Sequence, residues 1–286
     1  MKTLDGDVME NLSLYGHGFV GREFTRQFPE TVVVQKGSKY SPTTNILYGI
    51  STVHNYHPTD LDFFTDIDTN LVHFMEVLEA NHDRDIVFNL ISTWFVYGNT
   101  RVPAKEDSPC NPKGFYSITA RTREELLISY AETFGIKYRI LRLGNVIGVG
   151  DQKISRRKNA LQYIISEIAK GRDVNYLYKD GAVRDFIDVR DCARAIHLVC
   201  EKGELNSIYN IANGEGKNIN LLVDVAHRES KFKSKITMID VPEFHKTVQT
   251  PMMYMDVSKL KSLGYVQQHD IKQTVRELVH YYEKAE

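Results

Sequence analysis

The chain alternates short apolar runs with longer stretches of helical period. Leu12-Ser13-Leu14-Tyr15 reads as a strand, and the amphipathic stretch Arg22 to Phe28 reads as the helix after it. Between them lies Gly16-His17-Gly18-Phe19-Val20-Gly21, a Gly-x-Gly-x-x-Gly turn. Thr31 to Val34 is β-branched and predicts a second buried strand. Asn45 to Ile50 predicts a third after a gap short for a helical crossover, so the early sheet is expected to be abbreviated. From Asp60 to Ala80, Phe64, Ile67, Leu71, Phe74, Val77 and Leu78 recur at helical spacing. Ile86 to Ile91 is an uninterrupted apolar strand running into Ser92-Thr93-Trp94-Phe95-Val96-Tyr97-Gly98. Pro103 to Gly114 is a loop. Tyr116 to Phe134 is a helix with Leu126, Leu127 and Tyr130 on one face. Tyr138 to Leu143 is a strand closed by Gly144-Asn145.

Strands and helices in this order imply an α/β protein with a Rossmann-like, doubly wound parallel sheet and ligands at the carboxyl ends of its strands. After Gly150 the pattern loosens. Helices are expected over residues 159–170, 191–201 and 271–284, with short strands near 175–178 and 207–211. Residues 1–150 therefore read as a dinucleotide-binding domain. Residues 151–286 read mostly as a small C-terminal α/β substrate lobe, with some segments returning to the main domain.

The glycine turn carries the first chemistry. Its first glycine permits a tight turn, its second lets backbone approach a pyrophosphate, and its third lets the helix pack close to the strand with its N–H groups facing the anion. NAD or NADP is the expected ligand. An acid at the end of the second strand would hold the adenosine ribose. The chain has Gln35-Lys36-Gly37-Ser38-Lys39 there, either a contact for a 2′-phosphate or a plain polar turn.

Composition narrows the classes further. The net charge of −1 over 286 residues leaves no basic field for nucleic acid. The densest basic cluster, Lys153, Arg156, Arg157 and Lys158, reads as a solvated loop. Three cysteines without a Cys-x-x-Cys pair suit a reducing compartment, Cys192 and Cys200 as core residues. No apolar run approaches the ~20 residues of a membrane span. The polar leader Met1 to Asn11 lacks the apolar core of a signal peptide, so a cytoplasmic location is expected. His54 and His57, with Asp60, have a spacing that a metal could use. Pocket-lining histidines explain them more simply, and no metal is expected.

Seven motifs in order resemble those of the extended short-chain dehydrogenase/reductases, the NAD-dependent epimerase/dehydratase family acting on nucleotide sugars. They are the glycine turn, Ser92-Thr93-x-x-Val96-Tyr97-Gly98, and Tyr116 followed by Glu124-Glu125-Leu126-Leu127. Then come Arg142 to Gly148, Gly181-x-x-Arg184-Asp185-Phe186-Ile187-x-Val189-x-Asp191, Tyr209-Asn210-Ile211 and Asp256-Val257-Ser258-Lys259.

The resemblance implies hydride exchange between a nicotinamide and a carbon of a nucleotide-diphosphate sugar. Tyr116 would shuttle the proton and Thr93 would hydrogen-bond the same oxygen. It implies dinucleotide contacts from Gly16, His17, Gly18, Phe19, Val20, Gly21, Gln35, Lys36, Gly49, Ile50, Ser92, Tyr116, Leu143, Asn145 and Val146. Substrate contacts would come from Thr93, Trp94, Tyr116, Asn145, Asn159 and Arg184. The competing reading of Arg184 is a salt bridge to Asp185 or Asp188; Asp191 reads as a helix cap. Homodimers through the helices 60–80 and 116–134 are also implied.

The chain departs from the family in three places. Sugar dehydratases carry an Asp-Glu pair where this chain has Trp94 and Phe95, which either pack the core or line the pocket. Two aromatic rings cannot supply an acid and a base, so dehydration is not expected. The family's later arginine is not evident in Thr250 to Tyr254. The lysine of Tyr-x-x-x-Lys is replaced by Ala120. A free phenol has a pKa of ~10 and is ~0.1% ionised at neutral pH; a nearby cation lowers such a pKa by ~1–3 units. Arg123, nearly on the same helix face, lies ~10 Å along the axis, which strains its reach. Two readings follow: an NAD(P)-dependent epimerase or reductase, or a catalytically impaired binder of dinucleotide or nucleotide sugar.

Overall fold

The computed structural model describes residues 11–52, 63–152, 154–155, 158–176, 181–240 and 250–284. Its main sheet has six parallel strands in the order β2-β1-β3-β4-β5-β9. These are β1 (Leu12–Tyr15), β2 (Val32–Val33), β3 (Asn45–Tyr48), β4 (Val87–Thr93), β5 (Lys137–Leu143) and β9 (Ser207–Ile211). Every β1 residue is buried, as a strand covered on both faces requires. The expected second buried strand is instead a two-residue edge strand with Val33 42% exposed, because nothing among the described residues pairs with its outer side.

The order reverses between β1 and β3. β1 leads outward to β2, and the chain then passes back to β3 without a helix. Side chains hold this connection where helical bonds are lacking. Asn81 accepts from Ser41 N and donates to Lys39 O, Arg84 donates to Ser41 O, and Tyr15 Oη donates to Lys39 O.

One face of the sheet is covered by α1 (Phe19–Gln27) and α6 (Val189–Lys202), which pack on each other. The other is covered by α4 (Phe115–Phe134) and by α2 (Phe63–Ile67) and α3 (His73–Glu79), which are joined through a π-helical turn at Asp68–Val72. Phe74, Val77, Leu78 and Leu127 meet Ile46, Tyr48 and Phe88 in the core beneath them. The period places Phe64 and Ile67 inward, but they are 82% and 39% exposed. The π turn inserts an extra residue and rotates the earlier turn away from the sheet.

A second core lies against β8 (Val183–Asp188), under α5 (Ala160–Ala169), α7 (Ile219–Glu229) and the C-terminal helix Ile271–Lys284. The chain reaches it at Gly144, where β5 ends and β6 (Asn145–Ile147) pairs with β8. Of the expected strand 175–178, Val174–Tyr176 forms β7, and residues 177–178 lie outside the described residues. The α6 cap is Asp188, which accepts from Arg190 N; Asp191 is in the first turn. The Asp191 carboxylate accepts from the backbone of Gln268 and His269. Sequence spacing identifies the helix, but it does not reveal which acid the incoming strand turns toward its first N–H.

His197 on α6 stacks on Phe28 with ring centroids 3.8 Å apart, and burial holds its imidazole below the usual 6.5. The unfolded chain therefore takes this proton first as pH falls. Stability present above pH 6.5 is lost below it, until the folded imidazole also protonates. His197→Phe, which keeps the stack, is expected to flatten the fall of the urea midpoint between pH 7.5 and 5.5. An unchanged slope would show that His197 does not contribute.

Candidate active site

The carboxyl ends of β1, β3, β4 and β5 converge at the point where the strand order reverses, the usual ligand crevice of such sheets. At the end of β1, Gly16 has φ +97°, and a Cβ there would lie 2.8 Å from the Gly49 carbonyl carbon and 2.9 Å from Ile50 N. A Cβ on Gly21 would come 2.4 Å from Gly16 O. Gly18 differs: a Cβ there would meet nothing within 4 Å. It precedes α1 without a side-chain cap, and the first turn carries no acid. Open space in front of uncapped helical N–H groups is the cradle a pyrophosphate fits.

Around this cradle, His17 is exposed and bonds Thr25 Oγ1 at 2.9 Å. Lys158 Nζ lies 5.4 Å from the Phe19 ring centre and pairs with Asp151 at 2.7 Å. Val20 packs on the main core. Gln35 and Lys36 are exposed in the turn after β2. Gly49 and Ile50 form the wall that Gly16 touches.

At the end of β4, Thr93 caps the 3-10 turn Trp94–Tyr97 by accepting from Phe95 N. Tyr116 stands in the first turn of α4, its phenol against the hydroxyls of Thr93 and Ser51. Burial raises the phenol pKa above its ordinary value, against the opposing field of Arg123 and those two hydroxyls. Phe95 meets the Tyr116 ring edge-on at 6.0 Å and stacks on Trp94 at 3.8 Å; Arg184 lies over Trp94 at 5.4 Å. An aromatic wall thus joins the phenol to a guanidinium.

Other candidates are engaged in holding the two cores together. Ser92 Oγ donates to Glu124 Oε1 at 2.5 Å, so its hydroxyl points into the protein. Asn145 donates to Asp185 O, and Asn159 caps α5 while donating to Val146 O. Leu143 is a core residue at the last step of β5. The Arg184 guanidinium donates to the carbonyls of Val183 and Pro251. The two carboxylates considered for it have other partners: Asp188 bonds Arg190 and Thr274, while Asp185 accepts from the backbone of Asn213, Gly214 and Met255. Burial nevertheless pushes the Asp185 carboxyl up to about 7.

Three residues here were not assigned a site role from sequence. Ser51 reaches Tyr116 from the loop after β3. Asn70, fully buried in the π turn, bonds Ser51, Thr52 and Thr119. Arg123 is buried behind the phenol. The only sequence signal for the first two is a polar residue beside an apolar run. Among the described residues no group of three His, Cys, Asp or Glu could hold a metal; His54, His57 and Asp60 lie outside them.

Residues 44–212 match the model of the NAD dependent epimerase/dehydratase family. A putative UDP-glucose 4-epimerase of Methanocaldococcus jannaschii is 28% identical over 219 residues, 76% of this chain and 70% of that protein. The UDP-glucose 4-epimerase of Corynebacterium glutamicum is 28% identical over 53% of this chain, which spans about half (49%) of that relative. Among solved structures, the UDP-glucose 4-epimerase of Thermotoga maritima with UDP-glucose superposes with a TM-score of 0.84 at 20% identity, covering 96% of this chain and 98% of that one. RMD from Pseudomonas aeruginosa complexed with NADPH gives 0.83 at 20% identity, over 98% and 100%.

Proposed function

We propose that this chain, which belongs to the NAD-dependent epimerase/dehydratase family, is an epimerase or reductase that uses NAD or NADP at a carbon of a nucleotide-diphosphate sugar. The observation that carries the reading is the Tyr116 phenol set against the Thr93 hydroxyl at the carboxyl end of β4. The relatives support it by name.

A bound dinucleotide would supply the hydride acceptor and donor for the sugar carbon. Gly18 and the start of α1 would hold its pyrophosphate, with Gly16 and Gly21 keeping the turn close. Tyr116 Oη takes the proton of the sugar hydroxyl as that carbon is oxidised to a ketone, and gives it back on reduction. Thr93 Oγ1 holds the same oxygen in line. Trp94, 4% exposed in the main core, and Phe95 packed against it offer no acid or base to expel water, so dehydration is not part of the reading. Arg184, beside Trp94, suits a diphosphate oxygen.

Calorimetric titration with NAD and NADP, followed by turnover with UDP- and dTDP-linked sugars, tests this. Binding of one dinucleotide and interconversion of at least one sugar are expected. Failure to bind either would end the proposal; binding with no turnover would favour a binding protein instead.

The same reading extends to a homodimer. Phe64 on α2, Val72 in the π turn, and Phe115 and Ile118 on α4 are exposed apolar side chains on helices that contact each other. Sedimentation should find a dimer that Ile118→Asp dissociates; a monomer at micromolar concentration would count against it. No helix among the described residues is long and apolar enough to cross a membrane.

A further inference from the structure

We propose that the buried guanidinium of Arg123 is the cation that favours ionisation of Tyr116 in a chain with Ala120 one turn after the tyrosine. The inference rests on the proton-shuttle role of Tyr116 given above.

Arg123 is 1% exposed, and Ala120, between it and Tyr116 on α4, is completely buried. Its Nη1 donates to Ile50 O at 2.8 Å and its Nη2 to Ile91 O at 3.2 Å, while its buried Nε has no partner. No carboxylate among the described residues forms an ion pair with it. The nearest acid in sequence, Glu124, is occupied by Arg142, Arg121 and Ser92. A buried charge is screened less by its surroundings than one in water, so its field acts more strongly on nearby groups.

That field is directed at the site. Ile50, which holds the guanidinium, immediately precedes Ser51, whose hydroxyl meets the Tyr116 phenol. Side chains on a helix lean toward its N-terminus. A long arginine therefore covers much of the two-turn rise that separates it from Tyr116. The phenols of Tyr48 and Tyr116 both lie within its field, and for Tyr116 it is the strongest influence opposing burial. Arg123 acts through Tyr116 and does not touch the substrate.

The test places 3-fluorotyrosine at position 116 and follows its fluorine shift against pH in the substrate-free protein. Arg123→Gln keeps a polar amide donor at the position but removes the charge. It should raise the phenol midpoint by roughly 1–3 units. Arg123→Lys should stay near the parent, and Ala120→Lys added to Arg123→Gln should bring the midpoint back down. An unmoved midpoint in folded Arg123→Gln overturns the proposal. Should that variant not fold, Arg123→Met, of similar length but uncharged, is titrated instead: the same rise of roughly 1–3 units is expected, and an unmoved midpoint overturns the proposal. The titration needs no substrate, so failed turnover leaves it readable, and a null titration leaves the epimerase reading standing.

Discussion

Tyr116→Phe is expected to lower kcat by roughly 10²- to 10⁴-fold, the usual contribution of a positioned proton-transfer group. Dinucleotide affinity should be nearly unchanged. The substitution removes one oxygen, and the aromatic contact to Phe95 survives it. The open turn at Gly18 lies at a different strand end and is untouched. Parallel steady-state kinetics and calorimetry check the prediction. Turnover within a few-fold of the parent would mean that a different group moves the proton. Loss of dinucleotide binding would mean that the phenol serves the cofactor more than the sugar.

Glu124→Ala is expected to cost about 3–5 kcal/mol of stability, the range found when one member of a buried ion pair is removed. Glu124 and Arg142 are 0% and 1% exposed by side chain, and they meet at 2.8 Å with a second contact at 3.1 Å. Ser92 and Arg121 bond the same carboxylate. Without it, Arg142 keeps a contact to Glu106 O and its place 4.7 Å over the Tyr97 ring, and neither neutralises its charge. Urea denaturation measures the loss, with the midpoint falling at an unchanged m-value. A loss under about 1 kcal/mol would show that water reaches Arg142 once the acid is gone. The double variant with Arg142→Met should recover part of the loss, because an apolar replacement of both charges leaves no unpaired group.

The two cases mark how far local pattern carries. The glycine turn was legible because strand, turn and helix are contiguous and their spacing is set by backbone sterics. Tyr116 and Thr93, more than twenty residues apart, could be paired only through the family resemblance; in the fold, β4 and α4 bring them together. Arg123 shows the opposite situation. Helical period puts it on the Tyr116 side, but its environment depends on carbonyls at the ends of β3 and β4, far away in sequence. Phe64 shows the same for packing, since the π turn that rotates it outward leaves no mark in the hydrophobic period.

By itself, the sequence determined the alternation of strands and helices, the tight glycine turn after the first strand, and the absence of a lysine after Tyr116. Each depends on residues close enough for backbone geometry to relate them. The tertiary structure alone decided the strand order, the turn of Ser92 and Glu124 into the interior, and the burial of an uncompensated guanidinium behind the tyrosine. Desolvation and charge pairing depend on which distant segments exclude water from a side chain, and only the assembled fold specifies them.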